Sequence, residues 1–346
     1  MRLSRLIFCL FLLAMPALAA AQSEPRALEV PAANAWQHAE TEIILPPRVG
    51  GLVRTRISDS GQNEQDVAAT YIDREASIVA LVYIYRTGAG DLPLWFDRTL
   101  ATIMLPQAGA APPAITGFTR PRASAASGLR AAMSDNVAGM RSTAVAIAPL
   151  GPSWLVKIRL GSPRLDPAEL NERLSAFAAA LRWPAQTGTA RVAVPIEPCP
   201  TPLRLREARI VRTETSDVLM DSIVGSIEPE PGQPVRPPPV YCREPGATVE
   251  RGVYRPDRST DSYLIALHDA GLAIGVGDAS ALSQLLGNNR RRFSVTLYDR
   301  NATSSYPSFN RLPPPDQAFA LVRDGQPLST TSGTTTTIST DGLERR

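Results

Sequence analysis

Histidine is close to missing from this chain. His38 and His268 are the only two among 346 residues. They stand too far apart to form the one-turn histidine pair of a zinc site. No Gly-x-Ser-x-Gly elbow accompanies them, so the common serine-hydrolase signature is also absent. Lysine is scarcer still. Lys157 is the only one, and every other basic side chain is arginine. No apolar run reaches the roughly 20 residues a bilayer-spanning helix needs. Charge of one sign is not in excess either. The formal net charge is +3, and two of those charges are Arg2 and Arg5 at the extreme N-terminus. That balance excludes the concentrated basic face on which nucleic-acid binding depends. Gly271, Gly275 and Gly277 match neither a phosphate-cradling loop nor a dinucleotide fingerprint.

What is present begins at the N-terminus. Arg2 and Arg5 precede the apolar run Leu6–Leu13, and small residues follow from Ala17 to Ala21. This is the pattern of a secretory signal peptide spanning 1–21, with cleavage expected between Ala19 and Gln22. Cys9 lies inside the apolar run rather than after the small residues, so lipidation is not expected. The mature chain is expected to be exported, periplasmic or secreted, with no transmembrane segment. Removing the leader also takes Cys9 from a total of three cysteines. Cys199 and Cys242 remain, an even pair in an oxidising compartment, and a disulfide between them is expected.

About 320 mature residues exceed one comfortable core, so two units are expected. Residues 40–185 read as an α+β unit. Leu52–Ile57, Val67–Ile72, Ile78–Tyr85 and Trp154–Leu160 carry strand patterns, with shorter candidates at 114–118, 129–133 and 143–147. Ile78–Tyr85 is apolar almost throughout, as a central strand covered on both faces would be. A helix fits Leu94–Leu105, stopped by Pro106. A second helix starts at Asp166, Pro167 and Glu169, an N-cap with a capping box. Leu170, Leu174, Phe177 and Leu181 then form its apolar stripe. Trp95 and Phe96 read as core.

The Pro46-Pro47…Gly50-Gly51 opening, the element order and the strand Trp154–Leu160 leading into the last helix resemble the PsbP/Mog-type α/β/α sandwich. The resemblance covers roughly residues 40–185. It implies an antiparallel sheet with packed helices and an accessory or binding role. It carries no functional residue across.

Residues 186–202 read as a proline-bearing linker. Residues 203–328 read as a smaller, mainly β domain with one short helix, and 228–245 as a proline-rich surface loop. Strands are expected at Leu205–Val211, Phe293–Tyr298 and Ala318–Val322, with a hairpin at Tyr263–Val276. The one short helix is expected at 279–286. The Thr/Ser/Gly-rich stretch 329–346 reads as a disordered tail.

Few residues suggest chemistry. The competing reading is an exported hydrolase using carboxylates or an unrecognised triad around His268, which stands beside Asp269. Glu214, Asp217 and Asp221 form an acidic group without the alternating ligands of a calcium loop. Glu228 and Glu230 flank prolines in the loop. Asn301-Ala302-Thr303 fits a glycosylation acceptor. Arg290, Arg291 and Arg292 form the sharpest basic spot, a contact for an anion or partner, or else three exposed arginines guarding an edge strand. The sequence therefore points to an exported, non-catalytic envelope protein that binds another envelope protein or a small ligand, with no cofactor and no metal.

Overall fold

The computed structural model describes residues 25–61, 63–107, 109–137, 139–185, 191–211, 238–279 and 291–339. The fold is mainly β, with 41% strand against 14% helix. Its main strands fall into two nine-stranded sheets.

The first sheet is antiparallel throughout. It is built on four long strands, β5 (Leu52–Asp59), β6 (Asp66–Asp73), β7 (Ile78–Arg86) and β11 (Trp154–Ser162), which are neighbours in that order. Beyond β11 it continues through β10 (Ser142–Gly151), β9 (Gly128–Ser134) and β8 (Thr116–Phe118). Short β1 (Arg26–Ala27) and β4 (Arg48–Val49) pair with β5. A separate ribbon of β2 (Trp36–Gln37) and β3 (Ile44–Leu45) lies between those two in the chain.

Alternation assigns each face its helix. Ile78, Ala80, Val82 and Ile84 point to one side with Ala144, Ala146 and Ala148. There they meet helix α2 (Pro167–Ala180) through Leu170, Leu174 and Phe177. The expected capping box is present: Asp166 accepts from the Glu169 N–H, and Glu169 accepts from the Asp166 N–H. Val145, Ile147, Leu155 and Tyr85 point the other way, onto helix α1 (Leu92–Met104). The helix begins two residues before its expected start because Asp91 caps it and Pro93 suits its first turn.

Helix α1 is buried from Leu94 through Leu100 without a break. A helix apolar or buried all round is enclosed on both sides. Its second wall is the other sheet. Tyr254, Leu264, Ala266 and Ala273 of that sheet share one core with Trp95, Phe96 and Leu100.

The second sheet runs β12 (Glu197–Pro198), β13 (Tyr241–Arg243), β14 (Arg251–Pro256), β15 (Ser262–Leu267), β16 (Leu272–Asp278), β17 (Phe293–Tyr298), β18 (Ala302–Phe309), β19 (Ser329–Ser332) and β20 (Thr335–Ile338) in spatial as well as chain order. Only β12 pairs in parallel. Its far face, with Tyr263, Ile265, Ile274 and Val276, is covered by helix α3 (Pro315–Asp324). The layers therefore alternate helix, sheet, helix, sheet, helix.

Several expectations are corrected. Ala318–Val322 is not a strand but the middle of α3. Pro315 in the first turn, Asp316 behind it, Arg323 in the last turn and Gly325 after it are helix signals that outweigh the short apolar run. The tail is not disordered from 329. Ser329–Ser332 and Thr335–Ile338 form a hairpin on the edge of the second sheet, turned at Gly333, whose φ is 56°. Threonine is polar but β-branched, and that branching suits a pleated edge. The second unit's sheet matches the first in strand number. Within 186–202, Glu197–Pro198 joins that sheet, and within 228–245, Tyr241–Arg243 is a strand. Leu205–Val211 supplies only an isolated bridge, Ile210 to Phe309. The expected helix at 279–286 lies outside the described residues from 280 onwards.

Candidate functional site

The two sheets meet through polar side chains as well as through α1. Arg98 on α1 is fully buried and donates to three carbonyls of the second sheet's loops: Nε to His268 at 2.8 Å, Nη2 to Val249 at 2.9 Å and Nη1 to Thr248 at 3.1 Å. Its neighbour Asp97 pairs with Arg243 and accepts from the Tyr254 hydroxyl at 2.7 Å. Burial raises the Asp97 pKa, partly offset by Arg243. Arg300 reaches back to Asp66 at 2.7 Å. Backbones touch as well, because Gly88 N–H donates to Gly271 O at 2.9 Å. A side chain on Gly88 would strike the Tyr298 and Asp299 carbonyls.

Lys157 sits in this junction. Strand alternation turns it towards α1, and its ammonium bonds the Asp269 carboxylate at 2.6 Å and lies 4.6 Å from the Tyr83 ring centre. Burial works against the Asp269 charge, but Lys157 and then Arg98 outweigh it and hold its pKa below the usual value. A polar chamber of about 290 Å³ surrounds the pair, lined by Asp66, Tyr85, Thr99 and Arg159 among others. The hydroxyls of Tyr85 and Thr99 have no partner among the described residues. Such a chamber is polar and roomy enough to hold bridging water. Lys157 with Asp269 and Asp66 with Arg300 tie the sheets across it, which marks it as a latch.

A larger cleft of about 670 Å³ opens where α1 begins. Its walls come from Leu92 and Pro93 of α1, the β10–β11 turn (Pro149 to Pro152), the segment Arg191–Ile196, and Pro238–Tyr241 leading into β13. Six of the lining residues are prolines (93, 149, 152, 195, 238 and 239), which offer no backbone N–H. Val192, Val194 and Val240 line it while 64%, 67% and 76% exposed. Against this apolar wall stand three charged groups: Asp91, Arg120 and Arg191. Arg120 is 5% exposed, and its Nη1 is buried with no partner among the described residues. Asp91 is the helix cap, accepting from Leu94 N–H at 3.2 Å, and burial pushes its pKa up to about 6. A buried cation without a counterion is costly, so this cleft is the candidate site.

The sequence-derived candidates are dispersed. Arg290 lies outside the described residues, as do Glu214, Asp217, Asp221, Glu228 and Glu230. Arg291 pairs with Asp278 at 3.2 Å, whereas Arg292 is buried. Strand β17 is flanked by β16 and β18, so Arg291 and Arg292 do not guard an edge. His38 is fully buried between Trp36 and Trp154. Its Nδ1 accepts from Thr41 N–H at 3.1 Å, leaving Nε2 to donate to Glu64 O at 2.9 Å. His268 contributes its carbonyl to Arg98, and its ring meets no serine or carboxylate among the described residues. Asn301 precedes the β18 strand at a turn. Cys199 and Cys242 are joined by a disulfide with a Cα–Cα distance of 4.9 Å.

No family model, curated protein or solved structure matches this chain. The candidate site therefore rests on its own geometry. Arg120, in Arg120-Pro121-Arg122, carried no sequence signal that set it apart from the chain's many arginines. Asp91 was findable, since Asp-Leu-Pro ahead of an apolar helix is an N-cap signature.

Proposed function

We propose that the chain is an exported, non-catalytic binding module of the cell envelope, periplasmic or secreted, and that the cleft at the start of α1 is its binding site. The observation that carries this reading is Arg120, 5% exposed on an apolar cleft, with an Nη1 that is buried and has no partner among the described residues. Pockets of this size, apolar with a few placed polar groups, are where small ligands are held. Three further features support it. The N-terminal pattern of Arg2, Arg5 and Leu6–Leu13 is that of a secretory leader. The Cys199–Cys242 disulfide is compatible with an oxidising compartment, and no helix among the described residues is long and apolar enough to cross a membrane. Helices on opposite faces of the first sheet are the arrangement expected of the PsbP/Mog-type sandwich, a fold used mainly for accessory roles. At the polar junction the His268 carbonyl accepts from Arg98 and the Asp269 carboxylate is paired with Lys157, which fits a role in holding the sheets together.

The test combines fractionation with ligand screening. Osmotic shock of cells expressing the full chain should release a mature form whose N-terminus lies between residues 19 and 22. Melting of that form against a library of small apolar ions should reveal stabilising ligands. Retention of the intact leader in the cytosolic fraction, or turnover of ester or peptide substrates abolished by His268→Ala, contradicts the proposal.

A further inference from the structure

Resting on that reading of the cleft, we infer that its ligand is a single-chain amphiphile with a singly charged anionic head, of which a medium-chain carboxylate is the simplest member. The head sits on Arg120 and the chain lies along the proline and valine wall.

Three independent features argue for this class. The first is the missing counterion. Arginine stays charged in proteins, and its fork of donors matches an oxyanion better than any neutral group. Arg120 makes no side-chain hydrogen bond or ion pair among the described residues, so a ligand anion supplies what the fold leaves open. The second is where exposed apolar surface collects. Seven large apolar residues are exposed among the described ones, and three of them, Val192, Val194 and Val240, line this one cleft. Exposed apolar surface gathered at a cavity mouth marks a binding groove. The third is what the wall cannot do. Prolines 93, 149, 152, 195, 238 and 239 present no N–H, so an extended peptide finds few backbone donors to pair with. An alkyl chain needs none, and each buried methylene favours binding by about 0.8 kcal/mol.

The supply of buried positive charge limits the head's charge. A dianionic head would bring a second charge that no second buried cation meets, because Arg191, the other basic residue lining the cleft, is exposed.

Calorimetric titration of the mature chain at pH 7.5 tests this with four probes: dodecanoate below its micelle concentration, dodecan-1-ol, dodecyltrimethylammonium and acetate. Dodecanoate is expected to bind one to one and at least tenfold more tightly than the alcohol. Acetate and the ammonium should give no saturable heat. Arg120→Gln should weaken dodecanoate at least tenfold while changing the alcohol less than twofold. Val194→Asp, at a position 67% exposed, should remove binding of both. It also secures the test if the Arg120 variant melts early. If the alcohol or the ammonium binds as tightly as dodecanoate, the anionic-head inference is wrong and the binding-module reading survives. If no chain-bearing probe binds, both fall.

Discussion

Replacing Arg98 with methionine removes the strongest polar tie between the sheets while keeping most of the side chain's packing. Three carbonyls, those of His268, Thr248 and Val249, lose their donor at once. Each abandoned carbonyl costs about 1 kcal/mol where water reaches it poorly. Relief of the arginine's own burial offsets part of this, since desolvation is the leading cause of its lowered pKa. A net loss of about 2–3 kcal/mol follows. The assay exploits where the tryptophans lie. Trp36, Trp95, Trp154 and Trp183 are the only four, all at or before residue 183 and so ahead of the second sheet. Their fluorescence reports the first sheet and α1, while far-ultraviolet circular dichroism reports both sheets. In urea the wild-type curves should coincide, as one cooperative unit requires. In Arg98→Met the midpoint should fall, and the dichroism should begin to change before the fluorescence as the second sheet loosens first. A destabilisation below about 0.5 kcal/mol, the scale of an ordinary surface change, refutes the reasoning. So do wild-type curves that already separate.

Three further outcomes are expected. Asp91→Asn keeps the helix cap, since asparagine caps as well as aspartate, but removes a charge that burial disfavours. A carboxyl whose folded pKa of about 6 exceeds its ordinary 3.8 holds its proton more tightly when folded. Stability contributed by that site therefore declines as pH rises from 4 to 6 and stays low above it. The variant should gain up to about 3 kcal/mol over wild type at pH 7 and almost nothing at pH 3.5; an equal difference at both pH values counts against the assignment. Gly271→Ala, at a φ of 86° with a new Cβ only 2.6 Å from Arg86 O, should lose at least about 2 kcal/mol in the same urea assay. Reducing the Cys199–Cys242 bond, which closes a separation of 43 residues, should cost roughly 4 kcal/mol, read as a lowered melting temperature in dithiothreitol.

The sequence made legible what local pattern controls. Alternation and continuous apolarity located β5, β6, β7 and β11, and Asp166, Pro167 and Glu169 placed the start of α2 because capping is a short-range interaction. The disulfide followed from parity and compartment. The junction was not legible. Asp97 and Arg98 read as ordinary polar residues of a helix, since nothing in their spacing shows that a second sheet closes over them. Lys157 was visible as the only lysine, but its partner Asp269 lies over a hundred residues away. The same limit hid the site. Arg120, Pro152, Val194 and Val240 belong to four separate segments, and only the packing of two sheets about α1 brings them together. The tail misled for a different reason: its composition is polar, but runs of threonine favour a strand once an edge is offered.

The claim on which the account turns is that the cleft beside Arg120 holds an anionic amphiphile. Native mass spectrometry of the mature protein, isolated from envelope extracts without detergent, tests it most directly. The account predicts a one-to-one adduct that fragments to a singly charged alkyl anion, present in wild type and depleted in both Arg120→Gln and Val194→Asp. A bare chain mass, or an adduct retained unchanged in both variants, contradicts it.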